Sequence, residues 1–269
     1  MLDAAMDLAA EIAVWSLAAF ALLLFLVQLV AREFGYWLGR RHQARTAGQG
    51  EGVGILVGAV LGLLAFTLAL TLSFANTRFA ERRAGTLAEA NAIGTAWLRA
   101  EAITDPRSAD VARLLEQYAR VRADFVRAPL GVEATAAMNN RTSELQNQIW
   151  KQVTALIADH PNPVTVSLMS AVNDTFDTST AERFAHAFTL PAQLFWLLIA
   201  MALLGMMVLG FQLGLRGTPL RLLSVILTVM WTIIIVSIFD LASARVGSIR
   251  TSTMAYEWTI RGFGTGTQP

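Results

Sequence analysis

Uncharged apolar runs alternate with polar, helix-periodic stretches along the chain, and this alternation predicts an all-α membrane protein. Four runs carry no charged residue: 12–31, 53–75, 190–215 and 222–239. A helix rises about 1.5 Å per residue against a hydrocarbon core of about 30 Å, so roughly 20 residues suffice to cross. Three runs meet this outright, and the fourth borrows from its flanks. All four are rich in Leu, Ala, Val and Ile without the polar–apolar alternation of a membrane β-strand. The first run follows acidic residues (Asp3, Asp7, Glu11) and ends in Arg32, Arg40 and Arg41, which marks an anchor and not a cleaved signal.

The stretch between the second and third runs has a different period. No Gly or Pro precedes Gly85, so span two is expected to continue as one long helix. Asp105-Pro106 reads as an N-cap followed by Pro at the first helical position, with Val111, Leu114, Leu115, Tyr118, Val121 and Phe125 at helical spacing behind it. Pro129 and Gly131 punctuate that helix. The next places Leu145, Ile149, Val153, Leu156 and Ile157 on one face and stops at Pro161-Asn162-Pro163. A further helix presents Leu168, Val172, Phe176 and Phe184 before Pro191 opens span three. The expected architecture is therefore four transmembrane helices with an extracytoplasmic antiparallel helical bundle inserted between spans two and three. Its parts are an N-terminal membrane part at 1–75, the bundle at 76–189, a C-terminal membrane part at 190–243 and an extracytoplasmic tail at 244–269.

Composition supports the membrane reading: 55% of residues are hydrophobic, 15% are charged, and mean hydropathy is +0.50. A soluble domain carries roughly a quarter charged residues. With 21 basic and 20 acidic residues there is no basic field for nucleic acid. The absence of Cys removes disulfides, thiolate metal sites and cysteine nucleophiles, and His42, His160 and His186 are too scattered to form a metal site. His160 reads as a helix-end residue and His186 as a surface residue of the bundle. Short-loop Arg residues (Arg32, Arg40, Arg41 and Arg45 after span one, Arg216 and Arg221 between spans three and four) place both short loops in the cytoplasm. Both termini and the 76–189 block then lie outside.

Span two carries the candidate chemistry. Gly54, Gly58 and Gly62 form a small-residue ridge for close packing with another span or another subunit. On a different face lie Thr67, Thr71, Phe74 and Arg78. In an oligomer these hydroxyls would wet a pore, with Phe66 and Phe74 as an apolar constriction and Arg78 at its mouth. The competing reading has each Thr bonding back to its own helix and Arg78 snorkelling. Arg82, Arg83 and Asp240 are further outer-mouth charges, and Asp240 at the end of span four is a potential partner for Arg78. Glu89, Asn91 and Arg99 are expected to bond neighbouring helices or subunits, as are Asn173 and Asp174. There is no Gly-rich phosphate loop, no G-x-S-x-G elbow and no H-E-x-x-H helix, so no enzyme is expected, and no cofactor or metal is implied.

Several segments match a known pattern. Span two running through 76–83, then Glu89-Ala90-Asn91-Ala92-Ile93-Gly94 ending in Arg99, resembles a family of four-span bacterial membrane proteins described as bestrophin-like. The likeness extends to Ala171-Val172-Asn173-Asp174 with Arg183 downstream. It takes in Asp240-Leu241 followed by Arg245-Val246-Gly247-Ser248-Ile249-Arg250 as well. Ala242, Ser243 and Ala244 stand where the family places an acid, an Arg and a Pro, so the acidic–basic cluster of that pattern is altered. The resemblance implies a homo-oligomer in the inner membrane, related by name to anion channels. The function expected is an oligomeric ion channel passing inorganic ions, anion-selective, with span two lining the pore and the bundle as vestibule. The rival expectation is a sensor or accessory subunit whose bundle binds a ligand or partner.

Overall fold

The computed structural model describes residues 17–44, 50–127, 132–187, 191–243 and 249–264. These residues are helical throughout, with no strand among them: α1 (Leu17–Gln43), α2 (Gly50–Glu101), α3 (Pro106–Arg127), α4 (Val132–Asp159), α5 (Pro163–Ala187), α6 (Ala192–Arg216), α7 (Arg221–Ala242) and α8 (Met254–Gly262). Among them, α1, α2, α6 and α7 are long and apolar enough to cross a membrane. The expected continuation of span two is present in full. α2 is unbroken over 52 residues, roughly 78 Å at the usual helical rise, and passes through Gly85 and Gly94.

The chain divides into two compact units. One comprises residues up to Thr77 with the segment ending at Ile249; the other runs from Arg78 to the end of α5 and resumes at Arg250. In the first unit, Phe20 and Leu24 of α1, Leu64 and Leu68 of α2, Phe195, Leu198 and Met206 of α6 and Trp231 and Ile235 of α7 share a core. Phe20, Phe195 and Phe239 form an aromatic triangle with centroid separations of 5.5–6.0 Å. The closest approach lies elsewhere, between α1 and α6. A Cβ on Gly35 would collide with the Met207 backbone, one on Gly39 with Phe211, one on Gly210 with Arg32, and one on Gly214 with Tyr36. Two G-x-x-x-G pairs thus interlock. Lipid tails supply no hydrophobic drive for helix association, so such backbone contact gains van der Waals energy that larger residues would forfeit. The ridge singled out on span two behaves differently: a Cβ at Gly54 would meet Gln212 Nε2 at 3.1 Å, whereas Gly58 and Gly62 have open space around them.

Span one is longer than the uncharged run suggests. α1 continues to Gln43, so Arg32 is an intrahelical residue, buried, and not a loop charge. Its guanidinium donates to Glu33 and to the Pro219 carbonyl, which brings α1 alongside the α6–α7 turn. Leu220, the next residue of that turn, adopts a left-handed φ of 34°. Deeper in the unit, Gln28 donates from Nε2 to Thr232 Oγ1 at 3.0 Å, joining α1 to α7 through a buried polar contact. Thr232 and Thr228 in turn donate to the carbonyls four residues back.

In the second unit, Ile93, Ala96 and Trp97 of α2, Val111, Leu115 and Tyr118 of α3, Leu145, Ile149, Val153 and Leu156 of α4, and Leu168 and Val172 of α5 form the core. The Asp105 cap is present, with Oδ1 accepting from Arg107 N at 2.8 Å. Asn162 caps α5 in the same manner, accepting from Val164 N and Thr165 N. One expected core position is overturned. Phe184 is 64% exposed, because a residue eight beyond Phe176 has rotated off the inward stripe of α5. Ser179, Glu182 and His186 take the inward positions instead. The stretch expected as a separate tail contributes α8 to this unit, with Tyr256 fully buried against its core. Pro129, Gly131, Arg45 and 244–248, which entered the sequence reading, lie outside the described residues.

The two classes of glycine predict opposite behaviour. Gly35→Ala and Gly210→Ala should each lower stability by about 1–3 kcal/mol through overpacking against backbone. Gly58→Ala, at an open helical position, should be neutral or gain up to about 1 kcal/mol from helix propensity. Unfolding in mixed detergent, followed by circular dichroism, measures both.

Candidate functional site

The residues proposed for a pore separate onto different sides of α2. Thr67 Oγ1 donates to Leu63 O and Thr71 Oγ1 to Thr67 O, both at 2.8 Å, so each hydroxyl serves its own helix. Thr71 is 5% exposed and turned into the first unit, with Thr67 and Phe74 half-buried beside it. Phe66 points away from that packing, 61% exposed. Arg78 pairs with Glu81 at 2.9 Å, Arg83 is exposed, and Arg82 is buried. Asp240 is also buried and accepts a hydrogen bond from Ile249 N at 3.3 Å.

The outward side of α2 forms a face of its own. Gly62, Phe66, Ala69, Ser73 and Asn76 are exposed at alternating three- and four-residue intervals. In the second unit, Ala80, Ala84 and Leu87 of the same helix are exposed at four- and three-residue intervals, with Leu87 at 49%. Every member is small or apolar except Asn76, which stands at the end of the apolar run. The sequence reading did not isolate this face.

A second polar assembly lies within the second unit, where α2 contributes Arg82, Thr86 and Glu89 at positions i, i+4 and i+7. Facing them are Tyr118 and Arg122 of α3, Ser179, Glu182 and His186 of α5, and Tyr256 of α8. Glu89 and Arg122 form a two-pronged ion pair, Nε to Oε1 at 2.6 Å and Nη2 to Oε2 at 3.0 Å, with neither side chain exposed. Tyr256 donates its hydroxyl to Glu89 Oε2 at 2.6 Å, and Thr259 donates to the Ala90 carbonyl at 3.2 Å, so α8 is held to α2 by polar contacts. The Arg122 guanidinium also lies 4.5 Å from the Phe125 ring centroid. Burial opposes the Arg122 charge, but the Glu89 carboxylate more than offsets it and its pKa rises. Burial, reinforced by Glu89, raises Tyr256 well above an ordinary phenol. Burial likewise lifts Tyr118 to about 12.

Beside this pair sits Glu182, also without exposed surface. Its Oε1 lies 2.5 Å from Thr86 Oγ1 and 3.3 Å from His186 Nδ1. His186 Nδ1 is 3.0 Å from the Glu182 carbonyl oxygen, which can accept only, so Nδ1 carries a proton. Phe125 covers the imidazole edge-on at 5.7 Å. His186 is thus an interior residue of the unit and not a surface one. Burial pushes the Glu182 carboxyl up to about 7, with Glu89 adding to the shift and Thr86, Arg122 and Arg82 opposing it.

Of the other residues singled out by sequence, Arg99 donates to the Ser167 carbonyl at 2.8 Å, and Asn173 donates to Asp177 at 2.9 Å on the surface. Asn173 also lines a shallow depression with Gln146, Asn147, Trp150 and Phe176. His160 closes α4, its amide bonding to Leu156 O at 2.9 Å, as expected of a helix-end residue. Sequence reasoning identified Glu89 but missed Arg122, Glu182, His186 and Tyr256. The available signal was their spacing: 118 and 122, then 179, 182 and 186, place polar groups on faces otherwise occupied by core residues.

Comparison of the chain with family models, with curated proteins and with solved structures finds no match.

Breaking the buried ion pair should destabilise strongly, because the partner left behind is an unpaired interior charge. Glu89→Gln or Arg122→Met alone is expected to cost about 3–5 kcal/mol, whereas Glu89→Leu combined with Arg122→Met should recover most of that loss. Tyr256→Phe should cost about 1–3 kcal/mol. A double-mutant cycle read by chemical unfolding gives all three values.

Proposed function

We propose that copies of this chain assemble along α2 into an oligomeric ion channel of the bacterial inner membrane, the helical unit between spans two and three lying on the extracytoplasmic side as a vestibule. The observation that carries this reading is the outward face of α2. In its apolar half, lipid alone would account for exposed Phe66 and Ala69. Past Thr77 lipid no longer explains it, yet Ala80, Ala84 and Leu87 keep the face small and apolar at similar spacing. Small residues at such intervals let two helices approach closely, and in each unit an identical helix is a partner that matches. Asn76, the polar member of the face, fits the same partner, since an amide between membrane helices can bond across to its neighbour.

The conducting path is then built from α2 helices of several subunits. Phe66 and Ser73 lie in the seam between those helices, and the exposed hydroxyl of Thr77 stands beside it. Thr71 faces its own subunit and takes no part. Selectivity is weak on this geometry: Arg82 is buried, Arg78 is neutralised by Glu81, and Arg83 is an exposed cation favouring anions. The bestrophin-like resemblance points the same way. A second reading, an accessory or sensing subunit, is favoured by the buried titratable assembly around Glu182, which a simple vestibule does not require.

The chain has no cysteine, so single-cysteine variants report cleanly. Ala69→Cys, Ala80→Cys and Ala84→Cys should each give disulfide-linked dimers under mild oxidation, while Thr154→Cys on the exposed side of α4 should not. In planar bilayers under a KCl gradient, unitary currents should reverse toward the chloride potential, and Arg83→Glu should move the reversal toward potassium. Silence from protein that cross-links as expected would overturn the channel and leave the accessory subunit.

A further inference from the structure

We propose that Glu182 is a proton-operated latch: as a neutral acid it sits buried between Thr86 and Gly85 and holds α5 onto α2, and its ionisation there loosens that packing.

The balance of donors and acceptors makes the case without reference to titration. Thr86 Oγ1 is 2.5 Å from Glu182 Oε1 and 3.0 Å from the Arg82 carbonyl oxygen. The carbonyl can only accept, and an ionised carboxylate can only accept, yet the hydroxyl has one proton for the two. If Glu182 carries its proton on Oε1, every group is served: Glu182 donates to Thr86, and Thr86 donates to the Arg82 carbonyl. The His186 Nδ1 proton, already directed at the Glu182 carbonyl, does not remove the shortage. Glu182 Oε2 has no hydrogen-bond partner and is pressed against Gly85, where a Cβ would collide with it. An interior carboxylate with one oxygen unpartnered is costly, whereas the unprotonated oxygen of a neutral acid is a weaker acceptor and tolerates that position.

The charged surroundings do not rescue the ionised form. From α2, Arg82 and Glu89 face Glu182; from α3, Arg122; from α8, the Tyr256 hydroxyl; and from its own helix, His186. Arg122 is already committed in two-pronged fashion to Glu89, and the pull of Arg82 is the weakest of the influences on the Glu182 carboxyl. The carboxyl pKa of about 7 agrees with this geometry. It also sets the sign. A carboxyl raised in the folded state stabilises most below its unfolded value of about 4.5, and that stabilisation is lost as pH rises through about 7. The latch is closed in mild acid and open in mild alkali, with the turning point in the physiological range.

The test is hydrogen exchange on the full chain in lipid nanodiscs, at about pH 5.5 and about pH 8.5, corrected for the intrinsic pH dependence of exchange. Amides of residues 179–187 and 82–89 should lose at least about tenfold in protection at the higher pH, a one-decade change in the opening equilibrium. Glu182→Gln keeps the shape and cannot ionise, so its protection should be the same at both pH values; Glu182→Met serves if the amide variant fails to fold. His186→Gln should retain the wild-type loss. The proposal is overturned if wild-type protection is flat with pH, or if the Gln and Met variants lose protection as the wild type does. It is overturned equally if His186→Gln abolishes the effect, which would make the imidazole the titrating group.

Discussion

The second unit depends on two charges that have no exposed surface. Glu89 and Arg122 can occupy its interior because each answers the other through two hydrogen bonds, and Tyr256 supplies a third to the carboxylate. That requirement fixes more than a pair of side chains. It sets the register of α2 against α3 and adds a buried carboxylate contact, through Tyr256, to the other polar contacts of α8. Arg122 then packs its guanidinium on Phe125, and Phe125 covers His186, so the geometry around Glu182 is inherited from the same ion pair. Buried pairs of this kind contribute little net stability against apolar replacements, but they penalise every arrangement that separates them. What they confer here is a defined meeting point of α2, α3 and α8, with α5 packed beside it through Glu182.

The first unit, whose helices are long and apolar enough to cross a membrane, is held by different physics. Among helices solvated by hydrocarbon, burying Leu or Val gains little, so specificity falls to backbone proximity and to polar groups with nowhere else to go. The Gly35–Gly39 and Gly210–Gly214 pairs provide the first. Gln28 with Thr232, and Arg32 with the Pro219 carbonyl, provide the second. Both polar contacts join α1 to elements more than 180 residues later in the sequence, which is how the N-terminal span finds its place beside the C-terminal ones.

Much of the helical organisation was legible in the sequence because it rests on period and punctuation. The four apolar runs, the unbroken α2, the caps at Asp105 and Asn162 and the inward rows on α3 and α4 follow from hydrophobicity, spacing and Pro or Gly placement. The glycine contacts show where such reading stops. Gly54, Gly58 and Gly62 carry a more regular motif than Gly35 and Gly39, yet within the chain Gly58 and Gly62 meet nothing while Gly35 and Gly39 touch backbone. A small-residue spacing reports that close approach is permitted; it does not report which face a partner occupies. The buried polar assembly was hidden for a related reason. Ser179, Glu182 and His186 sit where a hydrophobicity pattern predicts Phe184, and their burial becomes intelligible once Arg82, Thr86 and Arg122 are known to face them. Tyr256, far along a stretch with weak periodicity, could be placed only by finding the carboxylate it serves.

Both devices reside on one helix. Over little more than two turns, α2 turns Arg82, Thr86 and Glu89 inward and Ala80, Ala84 and Leu87 outward. A helix is stiff on that length scale because each turn is tied to the next by backbone hydrogen bonds. Thr86 is itself bound to the Arg82 carbonyl, so a change in what Thr86 must satisfy acts on the α2 backbone directly and not merely on a side chain. If the outward face is where copies of the chain meet, Glu182 and that seam contact opposite sides of the same stretch of α2. A link between the two would need no separate signalling element, since the helix that would form the interface is the one whose inner face packs against Glu182.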